Sequence, residues 1–188
     1  INASMKAYEV NDKNFEEFIN QFISDKKFQA LVVTMPFKKK VLEFSNIIHN
    51  TALGAKSANL LLKKSKKIYA YNTDVLGAYY SIKNYIRKYE QVCIIGLGGT
   101  GVAIFSYLYN KFKNKKFILI SSNFNFKSNR VKIFKNLDKN IICNKCLIIN
   151  CSPLGSNLKK EYQSKTPINE NIFQYISPKS FIFDIVYK

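Results

Sequence analysis

Two charged side chains and one glycine-rich turn are the parts of this chain whose residue types and spacing could do chemistry. Lys38 ends the segment Thr34-Met35-Pro36-Phe37-Lys38, and Asp74 ends the segment Asn72-Thr73-Asp74. An ammonium beside a carboxylate can move a hydroxyl proton and hold the charge that develops on the oxygen. Taken singly, Lys38 is typical of a solvated lysine and Asp74 of a helix N-cap. Only their joint pattern with the glycine turn favours catalysis.

The glycine turn, Gly96-Leu97-Gly98-Gly99-Thr100-Gly101, has the spacing of a dinucleotide-binding loop. The apolar run before it predicts a buried parallel strand, and the residues after it continue as a helix. The first glycine would make a tight turn, the second would let the backbone approach a pyrophosphate, and the third would let helix pack on strand. We therefore predict a cofactor site at Gly96, Leu97, Gly98, Gly99 and Thr100. A plain strand-to-helix connection is the alternative.

The residues after the next predicted strand bear on the choice of cofactor. An NAD site carries an acidic residue about 20 positions past the turn to bind the ribose 2′-hydroxyl. Here the segment is Ser121-Ser122-Asn123, without an acid, and Lys127 and Arg130 follow. Hydroxyl, amide and cationic groups suit a 2′-phosphate. The sequence favours NADP, with NAD possible, and Ser122, Asn123 and Lys127 are candidate contacts.

Composition limits the other classes of function. The net charge is +18, but the 30 basic residues are nearly all lysines scattered along the chain, and only Arg87 and Arg130 are arginines. Nucleic-acid surfaces concentrate basic residues on one element and draw on arginine, so we expect no nucleic-acid partner. No apolar run approaches the roughly 20 residues that span a bilayer. We expect a cytoplasmic monomer or homodimer without a membrane partner.

The cysteines and the one histidine do not predict a metal site. Cys143 and Cys146 have the C-x-x-C spacing, but no second pair is present, and His49 lies far away on a predicted helix. A zinc site needs about four ligands. Cys93 and Cys151 lie in or beside apolar strands and are interpreted as small hydrophobic residues.

Alternating strands and helices predict an α/β fold with parallel sheets. We expect an α/β substrate-binding domain over residues 1–80, incomplete at its N-terminus, and a Rossmann-like dinucleotide-binding domain over residues 81–188. The predicted strands cover 7–10, 30–34, 60–62, 68–71, 92–96, 117–121, 146–150 and 181–186. The predicted helices cover 14–24, 38–49, 74–88, 101–112 and 128–136, with a loop over 54–59. Ligands should bind between the two units, at the carboxyl ends of the strands.

Read in order, six motifs resemble those of the shikimate dehydrogenase family over nearly the whole chain. They are Thr34-Met35-Pro36-Phe37-Lys38, Asn59, Asn72-Thr73-Asp74, Gly96-Leu97-Gly98-Gly99, Asn150-Cys151-Ser152-Pro153-Leu154-Gly155 and Asp184-Ile185-Val186-Tyr187. The resemblance implies reversible, NADP-dependent reduction of 3-dehydroshikimate to shikimate, a step toward aromatic amino acids. It also implies an oxidoreductase with a substrate domain and a nucleotide-binding domain.

The resemblance assigns roles to individual residues. Lys38 matches the catalytic lysine and Asp74 its carboxylate partner, while Thr34, Asn59 and Tyr187 match substrate-binding positions. Gly96 to Thr100 match the phosphate loop, and Ser152 and Ile185 match positions beside the nicotinamide.

The chain also departs from the family pattern. The family's Asn-Arg-Thr grip on the 2′-phosphate is replaced by Ser122-Asn123-Phe124, and both an N-terminal Ser-x-Ser element and the segment after Tyr187 are absent. We therefore expect an incomplete or degenerate member. Two alternatives stay open: a quinate/shikimate-type dehydrogenase that uses NAD, and a non-catalytic binding module of the same fold.

Overall fold

The computed structural model describes residues 4–34, 36–141 and 145–186, which form two β-sheets covered by helices. The helices are α1 (Phe15–Ser24), α2 (Asn50–Ala55), α3 (Thr73–Ile86), α4 (Gly99–Lys111) and α5 (Glu170–Phe173), with 3-10 turns at Lys40–Phe44 and Lys160–Tyr162. The strands are β1 (Ala30–Val32), β2 (Ile47–Ile48), β3 (Leu60–Lys64), β4 (Lys67–Tyr71), β5 (Gln91–Ile95), β6 (Lys116–Ile120), β7 (Val131–Phe134), β8 (Leu147–Asn150) and β9 (Phe181–Asp184).

The first sheet is mixed and has the strand order β1-β3-β4-β2. β3 pairs antiparallel with β1 and β4, whereas β2 runs parallel to β4. Helix α1 covers the sheet because Phe15, Ile19 and Phe22 recur on one helical face and are buried. Lys63 Nζ closes the end of this helix by donating to Phe22 O at 2.7 Å and to Asp25 O at 2.7 Å.

The second sheet has five parallel strands in the order β7-β6-β5-β8-β9. Its central strands are continuous apolar runs because helices and loops cover both faces. Helices α3 and α4 bury Ile82, Ile86 and Leu108 against one face. The chain leaves β5 toward β6 and later returns to β8 on the other side, so the order reverses between β5 and β8. Such a reversal opens a crevice at the carboxyl ends of the strands.

The two sheets are joined through helices rather than through strands. Helix α3 follows β4 of the first sheet and packs on the second. Ala55 of α2, Val75 of α3 and Ala103 of α4 form one buried cluster, against which Tyr107 packs. The residue after Asp74 is therefore fixed against the helix that begins at the glycine turn.

Three predicted elements are wrong. Residues 7–10 form no strand; they are mostly exposed, and the ring of Tyr8 packs on Phe18 with centroids 5.0 Å apart. The predicted helix over 38–49 is a short 3-10 turn followed by β2, because Asn46 and His49 pair through their backbone N–H groups with β4. The predicted helix over 128–136 is β7, a parallel edge strand.

The predicted loop over 54–59 is also partly wrong. Its first residues complete α2, and His49 is the N-cap of that helix, because its ring nitrogen accepts a hydrogen bond from Thr51 N. The predicted hairpin is confirmed as β3 and β4. In the part of the chain that the structure describes, no helix is both long and apolar enough to cross a membrane.

Candidate functional site

Lys38 and Asp74 meet in space although 36 residues separate them in the chain. Lys38 Nζ donates to Asp74 Oδ2 at 3.0 Å. The two side chains remain 32% and 48% exposed, so a small molecule can reach both. An exposed ion pair contributes little to stability, typically below about 1 kcal/mol. The ion pair therefore adds little to the stability of the fold. Its accessible position suits chemistry on a bound ligand.

Asn59 fixes the carboxylate of Asp74 from the side. Its Nδ2 donates to Asp74 Oδ1 at 3.0 Å and to Thr73 Oγ1 at 2.9 Å. Its Oδ1 accepts from Thr73 N at 2.8 Å and from Thr73 Oγ1 at 3.1 Å. Both amide hydrogens and both lone pairs of the carbonyl oxygen are used in this way. Asn59 thus supports Asp74, and the substrate contact that the sequence predicts for it stays a prediction.

The backbone around this pair is tied together by strand ends. Ala58 N donates to Lys38 O at 2.7 Å, and Val33 N donates to Asn59 O at 2.9 Å. Asn72 caps helix α3, since its side chain accepts from Val75 N, and its amide donates to Ser57 O at 3.2 Å. Asp74 consequently lies in the first turn of a capped helix, where a negative charge is favoured.

The glycine turn connects β5 to α4 in the context that the sequence predicts. Gly96 has φ +86°, and a Cβ there would lie 2.6 Å from Ser152 N, so only glycine fits. A Cβ on Gly101 would collide with Gly96 O. Gly98 and Gly99, by contrast, face open space and are exposed with Thr100. The turn therefore combines two packing glycines with two that leave room at a helix N-terminus, as an anion site requires.

A second polar cluster lies at the carboxyl ends of β8 and β9. Asn150 is 1% exposed; its Nδ2 donates to Asp184 Oδ1 at 3.0 Å, and its Oδ1 accepts from Ser152 N and Ser152 Oγ at 2.9 and 2.7 Å. Ile185 N donates to Asn150 O at 3.2 Å. The structure thus brings Ser152 and Ile185 to the same edge of the sheet.

Sequence reasoning assigns no role to Asn150 or Asp184. Their positions could have pointed to a role, because each is a polar residue that ends an apolar strand, and the two strands are parallel neighbours. The thiol of the neighbouring Cys151 is hard to ionise, because burial and, to a smaller extent, the charge of Asp184 raise its pKa to about 12.

Arg130 does not lie at the carboxyl ends of the strands, where the glycine turn is. Its guanidinium donates to Phe112 O at 3.0 Å and Lys115 O at 3.3 Å, and it stacks on Tyr109 at 3.9 Å. These groups lie in the last turn of α4 or just after it, at the far end of the helix from the glycine turn, so the expectation that Arg130 lies near a 2′-phosphate is wrong. Ser122, Asn123 and Lys127 are exposed in the segment after β6.

The other predicted site residues are placed as follows. Thr34 is exposed at the end of the segment that leaves β1, and Phe37 N donates to its carbonyl oxygen at 3.1 Å. Tyr187 and Cys143 lie outside the described residues. Leu97 is half-buried against the core of the second sheet.

The fold and these clusters define a class of protein: a two-sheet α/β protein whose second sheet is Rossmann-like, with a glycine turn of the dinucleotide-binding type and a Lys/Asp pair on the first sheet. A model of the shikimate dehydrogenase substrate binding domain matches residues 1–61. The shikimate dehydrogenase (NADP(+)) of Clostridium beijerinckii is 28% identical over 192 residues, covering 100% of this chain and 68% of that protein. That of Buchnera aphidicola subsp. Cinara cedri is 30% identical over 198 residues, with 100% and 66% covered.

Solved structures give the same answer for the fold. Shikimate 5-dehydrogenase from Listeria monocytogenes, in complex with shikimate and NAD, matches with a TM-score of 0.75 at 17% identity, covering 96% of this chain and 67% of that one. Ligand-free 5-ketofructose reductase of Gluconobacter matches with a TM-score of 0.73 at 15% identity, covering 95% and 66%.

These matches place the chain in the shikimate dehydrogenase family. The chain spans about two thirds of the length of the curated relatives, from 60% to 68% of the first three. Because the fold also occurs in a 5-ketofructose reductase, the activity has to be argued from the site.

Proposed function

We propose that the protein is a shikimate dehydrogenase that reversibly reduces 3-dehydroshikimate to shikimate with NADP. The observation that carries the proposal is the Lys38–Asp74 contact of 3.0 Å, in which Asn59 holds the carboxylate of Asp74 by a hydrogen bond. Relatives named shikimate dehydrogenase (NADP(+)) support the choice of substrate and cofactor. The open glycines at the start of α4 support a dinucleotide site.

Lys38 and Asp74 have different roles at the reacting alcohol. The ammonium of Lys38 donates a hydrogen bond to the oxygen that becomes a carbonyl, and it stabilises negative charge on that oxygen. Asp74 holds the ammonium in place, and its carboxylate accepts the hydroxyl proton when the alcohol is oxidised and returns it when the ketone is reduced. Thr34 is proposed to hold the ring hydroxyls, and Tyr187 to approach the substrate. Asn59 acts on the substrate chiefly through Asp74.

The residues of the second sheet fit a bound dinucleotide. Gly98 and Gly99 leave the space that a side chain would fill, and the N–H groups of the α4 terminus face it. Bound there, NADP would supply the group that takes up the hydride of the alcohol carbon. We propose that Ser152 and Ile185 line the nicotinamide side, and that Leu97 and Thr100 complete the phosphate loop.

The end of β6 supports NADP over NAD. No acidic residue stands at Ser121, Ser122 or Asn123, so nothing there competes with a 2′-phosphate. Ser121 N donates to Phe134 O at 2.9 Å, which brings the exposed Lys135 beside this turn in addition to Lys127. A Ser122→Asp variant should therefore weaken NADP binding and leave NAD binding less affected.

The division of the chain is part of the same proposal. We assign residues 1–80 to substrate binding and residues 81–188 to the dinucleotide. A cytoplasmic location and a monomeric or homodimeric state also stay predictions. Light scattering of the purified chain measures the latter.

The test is a turnover assay with a matched pair of lysine variants. Purified protein is mixed with shikimate and NADP, and absorbance of the reduced cofactor is followed. Lys38→Ala should lower kcat about 100-fold or more, whereas Lys39→Ala, which removes an exposed neighbouring lysine, should retain the rate. Equal rates in the two variants would overturn the assignment.

The same assay distinguishes the alternatives. Faster turnover of quinate with NAD would favour a quinate/shikimate-type dehydrogenase. Binding of NADP without turnover of either substrate would favour a non-catalytic module.

A further inference from the structure

We propose that Asn150 is a positioning residue that holds the Ser152 turn and the segment after β9 in one fixed arrangement through its contact with Asp184. The inference rests on the proposed function, which places Ser152 and Ile185 beside the nicotinamide. Neither Asn150 nor Asp184 is itself required to touch cofactor or substrate. Their role is to join two loops that would otherwise leave the sheet independently.

The amide of Asn150 suits the two kinds of partner around it. Its Nδ2 donates to Asp184 Oδ1 at 3.0 Å, while its Oδ1 accepts from Ser152 N at 2.9 Å and from Ser152 Oγ at 2.7 Å. An amide offers a donor on one side and an acceptor on the other at every pH, whereas a carboxyl group does so only when it is protonated. The side chain is 1% exposed, so water cannot replace these partners without a change in structure.

Asp184 carries the connection one step further along the chain. Its Oδ1 also accepts from Val186 N at 2.9 Å. Ile185 N donates to Asn150 O at 3.2 Å, and Cys151 N donates to Ile95 O at 2.7 Å, next to Gly96. Asn150, Asp184 and the backbone beside them therefore link the end of β9 with the Ser152 turn and with Ile95, the residue that precedes the glycine turn.

The inference predicts a pH-dependent defect when the amide becomes an acid. Asn150→Asp places a second carboxylate about 3 Å from that of Asp184, and two such groups cannot both ionise cheaply. The shared proton then has a raised pKa in the folded protein. A carboxyl whose folded pKa lies above its unfolded value of about 4 destabilises the fold as pH rises. Lys165 lines the same cavity as Asp184, so its ammonium is the charged group on that side, and the neighbouring thiol of Cys151 stays neutral.

The first experiment measures thermal unfolding of the cofactor-free protein between pH 4.5 and 8.5. Asn150→Asp should lose Tm steadily relative to wild type as pH rises. Asn169→Asp, an exposed helix-cap substitution of the same charge, should follow wild type, since Asp caps as well as Asn. Adding Asp184→Asn to Asn150→Asp should remove the pH dependence, because one carboxylate remains. If Asn150→Asp follows the Asn169→Asp control at every pH, the inference is wrong.

The second experiment separates positioning from folding. Asn150→Ala should lower kcat about 10- to 100-fold, because the nicotinamide side is misplaced. Its affinity for 2′,5′-ADP, which probes only the adenosine half of the site, should stay within about twofold of wild type. Unchanged kcat, or an equal loss of 2′,5′-ADP affinity, would overturn the positioning role. If Asn150→Ala does not fold, Asn150→Asp at pH 5 and pH 8 supplies the same comparison.

The two proposals fail in different ways. If wild type shows no turnover, the proposed function is wrong, while the unfolding experiment still tests the link between Asn150 and Asp184. If wild type turns over and Asn150→Asp shows no pH-dependent loss, only the further inference fails.

Discussion

Gly54 of α2 lies directly against Ser106 of α4, so that a Cβ added to the glycine would come within 2.8 Å of Ser106 Cβ. This contact brings a helix of the first sheet against the helix that begins at the glycine turn. Ala55 and Ala103, both small and buried, continue the same contact. The relative position of the two sheets therefore depends on small side chains.

Gly54→Ala should destabilise the protein by about 1–3 kcal/mol, because the added methyl overpacks a helix contact. Ser106→Gly in the same molecule should recover most of this loss, since it removes the atom that the methyl meets. Urea unfolding of wild type, both single variants and the double variant gives the coupling free energy. Additive effects would show that the helices do not meet at these residues.

Substitutions in the glycine turn should have two kinds of effect, one on the stability of the fold and one on cofactor binding. Gly96→Ala should destabilise the fold by several kcal/mol, because its φ is +86° and the new Cβ meets the backbone of Ser152. Gly98→Ala should fold like wild type but bind NADP about tenfold more weakly, since its Cβ fills the space left for phosphate. Thermal unfolding and calorimetric titration of both variants test this contrast. Normal NADP affinity in Gly98→Ala would contradict the placement of the pyrophosphate.

Asn59→Ala should lower both stability and kcat. It removes four hydrogen bonds, one of them to the carboxylate of Asp74, and hydrogen bonds to charged groups contribute about 1.5–3 kcal/mol. Asn72→Ala is the comparison, because it removes the cap of the same helix and the hydrogen bond to Ser57 O, each at a cost of about 1 kcal/mol, and Asn72 makes no hydrogen bond to the carboxylate of Asp74. Unfolding and turnover are measured for both. If the two variants lose kcat equally, Asn59 does not act through Asp74.

Cys151 should stay unreactive in the folded protein throughout the neutral range. Burial, assisted by the charge of Asp184, raises its pKa to about 12, so the thiolate is scarce at pH 8. Iodoacetamide labelling at pH 8, followed by peptide mass mapping, should modify Cys151 only after denaturation. Rapid labelling of the native protein would show that the β8–β9 edge is open.

Most strands of both sheets could be predicted from the sequence, but one strand of each sheet, β2 and β7, could not. β5, β6 and β8 are buried on both faces, and their apolar runs are visible without a structure. β2 consists of two half-buried residues that pair only with β4, so no local pattern distinguishes it from the end of a helix. β7 is not recognisable for a similar reason, since it is a short edge strand that contains Lys132 and lies between Arg130 and Lys135.

The candidate site shows the same limit. The residue types and order predicted that Lys38 and Asp74 belong together, and the structure confirms that they meet. Asn59 can use all its hydrogen-bonding groups only because the residues at the start of α3 lie beside it in the folded protein. The spacing of these residues in the sequence does not reveal this contact. The position of Arg130 likewise depends on β7 running parallel to β6, which places this residue at the opposite end of the sheet from the glycine turn.

The most direct test of the central claim is transfer of deuterium from labelled shikimate to NADP. Shikimate deuterated at the carbon that bears the oxidised hydroxyl is incubated with wild type, Lys38→Met and Lys39→Met, and the label in the reduced cofactor is measured by mass spectrometry. Wild type and Lys39→Met should transfer the label at similar rates, and Lys38→Met should transfer it at least about 100 times more slowly while still binding NADP. Transfer by Lys38→Met at the wild-type rate would contradict the role of the Lys38–Asp74 pair.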